Sequence, residues 1–307
     1  MINSLTGTVA KSTGSWYKVL TVDGSEFNAR LKGKFRLQGK VLTNPIAVGD
    51  EVEMEFESQD NYVIHKILPR KNYLLRKSTK LSSRYQLVAA NIDRAILMAT
   101  LVKPKTSRGF IDRFIITCES FGIPAVLMFN KADLLTANEL RRMGEVVNIY
   151  SEMGYKTYTT SLLSHALPTD VTSMFNNSTT LVFGHSGVGK STLINQLIPG
   201  SNQQVAQISD YHGKGRHTTT FARMFVSTDG RRIIDTPGVK EFGMEPMEAW
   251  KLSHYFRDFA AYRMSCKFNN CLHTDEPICR VVEAVSEGNI SESRYKSYLS
   301  MLEEMDA

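Results

Sequence analysis

The sequence predicts a multidomain α/β protein: a small β-barrel, then an α/β unit with a mainly parallel sheet, then a helical unit. Three observations predict this fold class. Short strand-like segments fill residues 1 to 70, and apolar strand-like runs alternate with helix-like stretches from about residue 85 to 240. Two amphipathic stretches, Glu248–Tyr262 and Ser291–Met305, then flank a group of Cys and His residues. We expect domains at 1–70, 71–245 and 246–307.

The bulk composition indicates a globular protein in a reducing compartment. The chain has 307 residues, of which 42% are hydrophobic and 22% charged. No apolar run approaches the ~20 residues that cross a bilayer, and the N-terminus lacks the pattern of a signal peptide. Four cysteines, three of them clustered, favour a metal site over a disulfide framework. We expect a cytoplasmic monomer.

The first segment predicts a barrel of the OB-fold type. Five short strands separated by turns are expected within about 70 residues. The clearest is Glu51–Glu57, whose alternation places Val52, Met54 and Phe56 on one face and four carboxylates on the other. The other four lie around Thr8–Ala10, Trp16–Leu20, Phe27–Leu31 and Tyr62–Ile64.

Two basic stretches without acidic residues accompany this barrel. The first contains Arg30, Lys32, Lys34, Arg36 and Lys40; the second contains Lys66, Arg70, Lys71, Arg76, Lys77, Lys80 and Arg84. One interpretation is a pair of solvated loops. The other, favoured by Phe35 within the first stretch, is contact with the phosphate backbone of RNA.

The middle segment contains a glycine-rich loop between a predicted strand and a predicted helix. The loop consists of Gly184, His185, Ser186, Gly187, Val188, Gly189, Lys190 and Ser191. Its spacing is that of a phosphate-binding loop, whose backbone N–H groups surround phosphates. Lys190 is expected to reach the β and γ phosphates, and Ser191 to bind Mg²⁺.

A second motif predicts that the base is guanine. Asn130-Lys131-Ala132-Asp133 follows a predicted strand. The Asp133 carboxylate can accept hydrogen bonds from N1–H and the 2-amino group of guanine, and adenine lacks both donors. We expect Asn130 to brace the loop, Lys131 to cover the base and Ser161 to support the base from its other side.

A third group of residues is expected to sense the γ-phosphate. Asp235 can hold Mg²⁺ through water, and the N–H of Gly238 can face the phosphate. Thr218 or Thr219 is expected to bind Mg²⁺ as the first switch. Val239 occupies the position of a water-orienting glutamine, so intrinsic hydrolysis should be slow. His217 is the candidate to place the water, and a structural or RNA-contacting histidine is the alternative.

The order of these motifs is reversed relative to an ordinary GTPase domain, because the guanine tetrad precedes the phosphate loop. The sequence therefore predicts a circularly permuted P-loop GTPase domain. Permutation leaves Asp235–Gly238 as the last nucleotide contact before the Cys/His group. We expect the segment that starts at Val239 to couple the two sites.

The cysteine-rich segment predicts a structural zinc site. Cys266, Cys271, His273 and Cys279 supply three thiolates and one imidazole, a complete tetrahedral set with no open position. Cys118, on a predicted helix, is expected to be an inert core residue.

Taken together, these motifs resemble the RsgA family of small-ribosomal-subunit biogenesis GTPases, also called YjeQ. The resemblance rests on Gly184–Ser191 followed by Thr192-Leu193-Ile194-Asn195, on Gly215–Thr220, and on the Cys/His set. It implies a cytoplasmic enzyme that binds GTP and GDP, Mg²⁺ and one Zn²⁺. It also implies rRNA contacts on the small subunit late in assembly, with a histidine at His217 acting in hydrolysis.

Two alternatives to a subunit-activated GTPase stay open on the sequence. One is a GTP-sensing RNA-binding module with incidental turnover, which Val239 favours. The other is a GTPase that serves mRNA or tRNA through its barrel.

Overall fold

The N-terminal segment forms a closed five-stranded barrel, as predicted. The computed structural model describes residues 4–32, 44–58, 61–77, 85–201, 222–236 and 247–306. The barrel strands run in the order β1-β2-β3-β5-β4, and β1 closes the barrel on β4. They are β1 (Ser4–Ser12), β2 (Trp16–Thr21), β3 (Glu26–Leu31), β4 (Glu51–Ser58) and β5 (Asn61–Ile67). Val52 and Met54 fill the interior, but Phe56 is 61% exposed and lies edge-on to Tyr62.

The second basic stretch is not the run of free cations that the sequence suggests. Arg70 forms a two-point ion pair with the fully buried carboxylate of Asp50, with distances of 2.6 and 2.8 Å. Acidic residues distant in sequence pair with other cations of both stretches: Lys66–Glu53, Lys71–Asp93 and Arg30–Glu57. A hairpin of β6 (Tyr73–Lys77) and β7 (Tyr85–Ala90), which the sequence did not reveal, carries Arg76 and Lys77. Lys34, Arg36, Lys40, Lys80 and Arg84 lie outside the described residues.

The middle segment is an α/β domain with the predicted alternation of strands and helices. Its elements are β8 (Arg94–Ala99), α1 (Arg108–Ser120), β9 (Ala125–Phe129), α2 (Ala137–Glu152), β10 (Lys156–Thr159), α3 (Thr169–Ser173), β11 (Thr179–Phe183), α4 (Lys190–Leu197), β12 (Arg223–Val226) and β13 (Arg232–Asp235). The sheet order is β10-β9-β8-β11-β13-β12, and only β12 runs antiparallel to its neighbour among these described strands. Strand β1 adds antiparallel to β12, which joins barrel and domain into one sheet.

Burial on both faces explains the sequence of the central strands. All residues of β9 and β11 are buried, which is typical of parallel strands covered by helices on either side. Helix α2 begins with a capping box, in which Thr136 and Glu139 satisfy each other's backbone N–H groups. The carboxyl ends of β8, β9, β11 and β13 share one edge, where ligands bind in open α/β sheets.

The C-terminal unit corrects one predicted helix. Residues Glu248–Tyr262 were expected to form a single amphipathic helix, but they form two 3₁₀ segments, Ala249–Tyr255 and Arg257–Phe259, before a short α5 (Ala260–Arg263). Phe256 takes an extended conformation (φ −90°, ψ 104°) between them. This break lets the rings of Phe256 and Phe259 pack against Tyr298 while Asp258 pairs with Arg294. Helices α6 (Arg280–Ser286) and α7 (Glu292–Asp306) complete the unit.

Among the described helices, none combines the length and the apolar character that a membrane span requires.

Candidate active site and metal centre

The glycine-rich loop lies between β11 and α4, as the motif requires. Gly184, Gly187 and Gly189 have φ values of 145°, 82° and 110°, in the region that favours glycine. A Cβ on Gly184 would lie 2.4 Å from the Met98 carbonyl oxygen, and a Cβ on Gly189 would lie 2.4 Å from Nδ2 of Asn130. The loop therefore packs tightly against β8 and the guanine tetrad.

Gly189→Ala is expected to abolish nucleotide binding, because the new methyl group must displace the Asn130 side chain. Strain at the positive φ adds about 1 kcal/mol or more to the cost. Gly200→Ala is the matched control, since Gly200 has a φ of 91° but nothing within 4 Å of its Cβ position. Titration with a fluorescent GDP analogue measures both variants. Equal affinity for the two would contradict this account of the loop.

Lys190 and Asp235 are charged side chains that lie near enough at the loop for each to affect the pKa of the other. Nζ of Lys190 donates to the carbonyl oxygens of Gly184 and His185 at 2.8 and 2.9 Å. Burial lowers the pKa of Lys190 and raises that of Asp235 to about 6; each charge opposes the shift of the other. For each side chain, the opposite charge does not fully offset the cost of burying the charged form. The phosphates and cation of a bound nucleotide can supply the missing counter-charge.

The donor set fits a magnesium ion. Among the described residues, Oδ1 of Asp235 and the hydroxyl of Thr236 are buried without a hydrogen-bond partner. A buried carboxylate oxygen left unpartnered is costly and suits a hard cation or its water. Ser191 and Thr192 occupy the first turn of α4. Thr218, Thr219, His217 and Gly238 lie outside the described residues.

The guanine tetrad is hydrogen-bonded directly to the phosphate loop. Nδ2 of Asn130 donates to the Val188 carbonyl at 2.9 Å. Its Oδ1 accepts from the Thr160 hydroxyl and the Leu162 N–H, both at 3.1 Å. Lys131 adopts a left-handed backbone (φ 66°), and its Nζ donates to the carbonyl of Lys103 at 2.7 Å. Asn130 thereby joins the tetrad to two segments that are far apart in sequence, the phosphate loop and residues 160–162.

Ser161 lies beside the tetrad, and the structure adds Ser164, which the sequence did not reveal. The Ser161 hydroxyl accepts from the N–H of Asp133 at 3.1 Å. The Ser164 hydroxyl donates to Oδ2 of the Asp133 carboxylate at 3.1 Å. A serine among several in a loop gives no local signal, so only the fold identifies it.

The four predicted zinc ligands converge in the C-terminal unit. One donor atom from each of Cys266, Cys271, His273 and Cys279 lies within 4.8 Å of all the others. Nδ1 of His273 is 3.6 Å from Sγ of Cys266 and 3.4 Å from Sγ of Cys279. A tetrahedron with Zn–S and Zn–N bonds of ordinary length has an S···N edge of about 3.6 Å. The arrangement is therefore compatible with structural zinc. Cys118 lies apart from it, fully buried in α1, as expected.

A phosphate loop braced to a guanine tetrad that precedes it in the chain defines a circularly permuted GTPase. Comparisons with known proteins agree with this class. The sequence profile of the RsgA GTPase family matches residues 67–245, and that of the RsgA N-terminal domain matches residues 6–64. The chain therefore belongs to the RsgA family, and it is a GTP hydrolase.

Individual relatives match along almost their whole length. The small ribosomal subunit biogenesis GTPase RsgA of Phocaeicola vulgatus is 45% identical over 300 residues, covering 98% of this chain and 97% of that protein. The RsgA of Flavobacterium johnsoniae is 45% identical over 302 residues, covering 97% and 93%.

Two solved structures are also similar. YjeQ from Thermotoga maritima has a TM-score of 0.76 at 33% identity and 98% coverage of both chains. YloQ, a circularly permuted GTPase, has a TM-score of 0.71 at 26% identity, with coverage of 99% of this chain and 96% of that one.

Proposed function

We propose that this protein is a GTPase of small (30S) ribosomal subunit biogenesis. It binds the subunit through rRNA contacts late in maturation, and the subunit stimulates its hydrolysis of GTP to GDP and phosphate. The main support is that the tetrad and the phosphate loop form one site, in which Asn130 is hydrogen-bonded to Val188. The chain is also similar to RsgA proteins along almost its whole length. We place the protein in the cytoplasm as a monomer.

The residues of the site divide the work of binding and hydrolysis. Asp133 accepts hydrogen bonds from guanine and is itself held in place by Ser161 and Ser164. Lys131 covers the base. The loop Gly184–Thr192 holds the phosphates, with Lys190 on the β and γ groups. Mg²⁺ is held by Ser191, by Thr219 or Thr218, and by Asp235 through water. Gly238 contacts the γ-phosphate and His217 places the attacking water.

The three parts of the chain divide the remaining tasks. Residues 1–70 bind rRNA, residues 71–245 bind and hydrolyse GTP, and residues 246–307 bind zinc. Exposed aromatic rings on the barrel, Trp16 at 45% and Phe56 at 61%, support base stacking there. Arg30, Lys66 and Arg70 are paired with acids, so phosphate contacts by these three side chains would have to replace ion pairs.

Purified small subunits are expected to raise the GTPase rate by about tenfold or more, equal to at least roughly 1.4 kcal/mol of barrier. Phosphate release is measured at low salt with small subunits, with large subunits, and without either. Lys190→Ala provides the background rate. A rate of phosphate release that does not change when small subunits are added would contradict activation by the subunit. Unchanged subunit binding by Lys190→Ala, together with no stimulation of hydrolysis in the parent, would favour an RNA-binding module in which turnover is incidental.

A further inference from the structure

The first turn of α1 contacts the phosphate loop through one aromatic ring. Phe110 stacks on the imidazole of His185, with ring centroids 4.2 Å apart and an interplanar angle of 29°. The carbonyl of His185 is one of the two that accept a hydrogen bond from Lys190. The position of Phe110 therefore bears directly on the backbone that holds the phosphate-binding lysine.

Two residues further along α1, Asp112 is buried in the contact with the C-terminal unit. Its Oδ1 accepts from the Arg294 guanidinium and from the Tyr150 hydroxyl, both at 2.8 Å. Its Oδ2 accepts from the Ser297 hydroxyl at 2.5 Å. Arg294 and Ser297 belong to α7, so one carboxylate fixes α1 to that helix.

Helix α7 in turn holds the backbone of the metal loop. The Tyr295 hydroxyl donates to the carbonyl of the ligand His273 at 2.8 Å, and the Tyr298 hydroxyl donates to that of Leu272 at 2.6 Å. Tyr295 directly follows Arg294 in the chain. Direct contacts thus lead from a metal ligand to the phosphate loop through two helices.

We propose that Asp112, held by Arg294, is a positioning residue for the phosphate loop and acts through the Phe110–His185 stack. The C-terminal unit then sets the geometry of an empty or occupied nucleotide site without touching nucleotide. Zinc, by fixing α7 and through it α1, holds the phosphate loop in its binding geometry and so strengthens GDP binding. Because coupling between two binding sites is reciprocal, GDP strengthens zinc binding by the same factor. This route uses only described residues, unlike the route through the segment that starts at Val239.

The test compares GDP affinity in Phe110→Leu, Asp112→Asn and the double variant, after thermal melting and zinc content have established that each is folded and loaded. Each single variant is expected to weaken GDP binding about 3- to 10-fold, which is the size of effect that single mutations have on coupling between sites. The double variant should bind GDP no more weakly than the single variant with the lower GDP affinity, because both changes interrupt the same chain of contacts. Phe110→Tyr keeps the aromatic ring and should bind GDP with the same affinity as the parent protein. Arg280→Gln is the control, since the Arg280–Glu283 pair lies on the surface of the same unit.

Unchanged GDP affinity in a folded, zinc-loaded Asp112→Asn protein overturns the proposal, as do effects that multiply in the double variant. If Asp112→Asn does not fold, zinc affinity of the unmodified protein decides, measured by competition with a chelator. Saturating GDP should raise zinc affinity by the same 3- to 10-fold factor, roughly, and Phe110→Leu should remove the effect. Equal zinc affinity with and without GDP overturns the proposal as well.

Discussion

Arg294→Met is expected to lower the free energy of unfolding by about 3–5 kcal/mol, the usual cost of removing one partner from a buried ion pair. The Arg294 side chain is 1% exposed and lies between the carboxylates of Asp112 and Asp258, which are 0% and 9% exposed. Burial opposes the charge of Arg294, but the two carboxylates outweigh burial and raise its pKa, so it stays charged. Met fills similar volume and leaves both carboxylates without a counter-charge.

Urea unfolding followed by circular dichroism measures this loss. Arg113→Met is the matched control, because Arg113 pairs with the half-exposed Glu304 across the same two helices. Exposed pairs contribute about 0–1 kcal/mol, so this variant should stay close to the parent. Adding Asp112→Asn and Asp258→Asn to Arg294→Met should recover part of the loss. Similar stability of the two Arg variants would contradict a buried, charged network.

Removing the zinc ligands is expected to unfold the C-terminal unit. Structural zinc contributes about 10–16 kcal/mol to folding in zinc-finger peptides. Here α5 has four residues and α6 has seven, too few to form helices without tertiary support. The core around Phe256, Phe259 and Tyr298 includes Cys271 and Cys279. Loss of the metal therefore removes the link that holds this core together.

Metal analysis and tryptophan fluorescence measure this effect in Cys271→Ser. The chain has two tryptophans, and Trp250 lies within the C-terminal unit, so its emission reports on that unit. We expect one zinc per chain in the parent and none in the variant, with red-shifted emission. Cys118→Ala is the control, because Cys118 is buried in α1 away from the ligands. Retained zinc or an unshifted spectrum in Cys271→Ser would contradict a structural metal.

Local patterns predicted most elements, and they failed where distant residues decide. The strands of the α/β domain follow from apolar runs. The helix expected at Glu248–Tyr262 has the right periodicity but breaks at Phe256. Burial of its aromatic rings against α7 and the pairing of Asp258 with Arg294 outweigh helix propensity, which amounts to only a few tenths of a kcal/mol per residue.

The predicted basic surface also shows that a local pattern cannot identify partners distant in sequence, here the partners of charged residues. Arg70 lies in a stretch without acidic residues, yet it forms an ion pair with the buried Asp50, twenty residues earlier. Charge patterning along the chain reports which charges neighbour in sequence. It does not report which charges a barrel brings together.

The sequence by itself determined the class of the protein, the order of its motifs and the four Cys and His residues that the fold brings together. These depend on short segments whose pattern is complete within a few residues: the glycine-rich loop, the Asn130–Asp133 tetrad, and three Cys and one His within fourteen positions. The tertiary structure alone decided how the parts are joined. Ser164 on Asp133, Phe110 on His185 and Arg294 between two aspartates join residues 31, 75, 36 and 182 positions apart. Single residues at such separations leave no local pattern, since their partners are chosen by packing and by the need to satisfy buried polar groups.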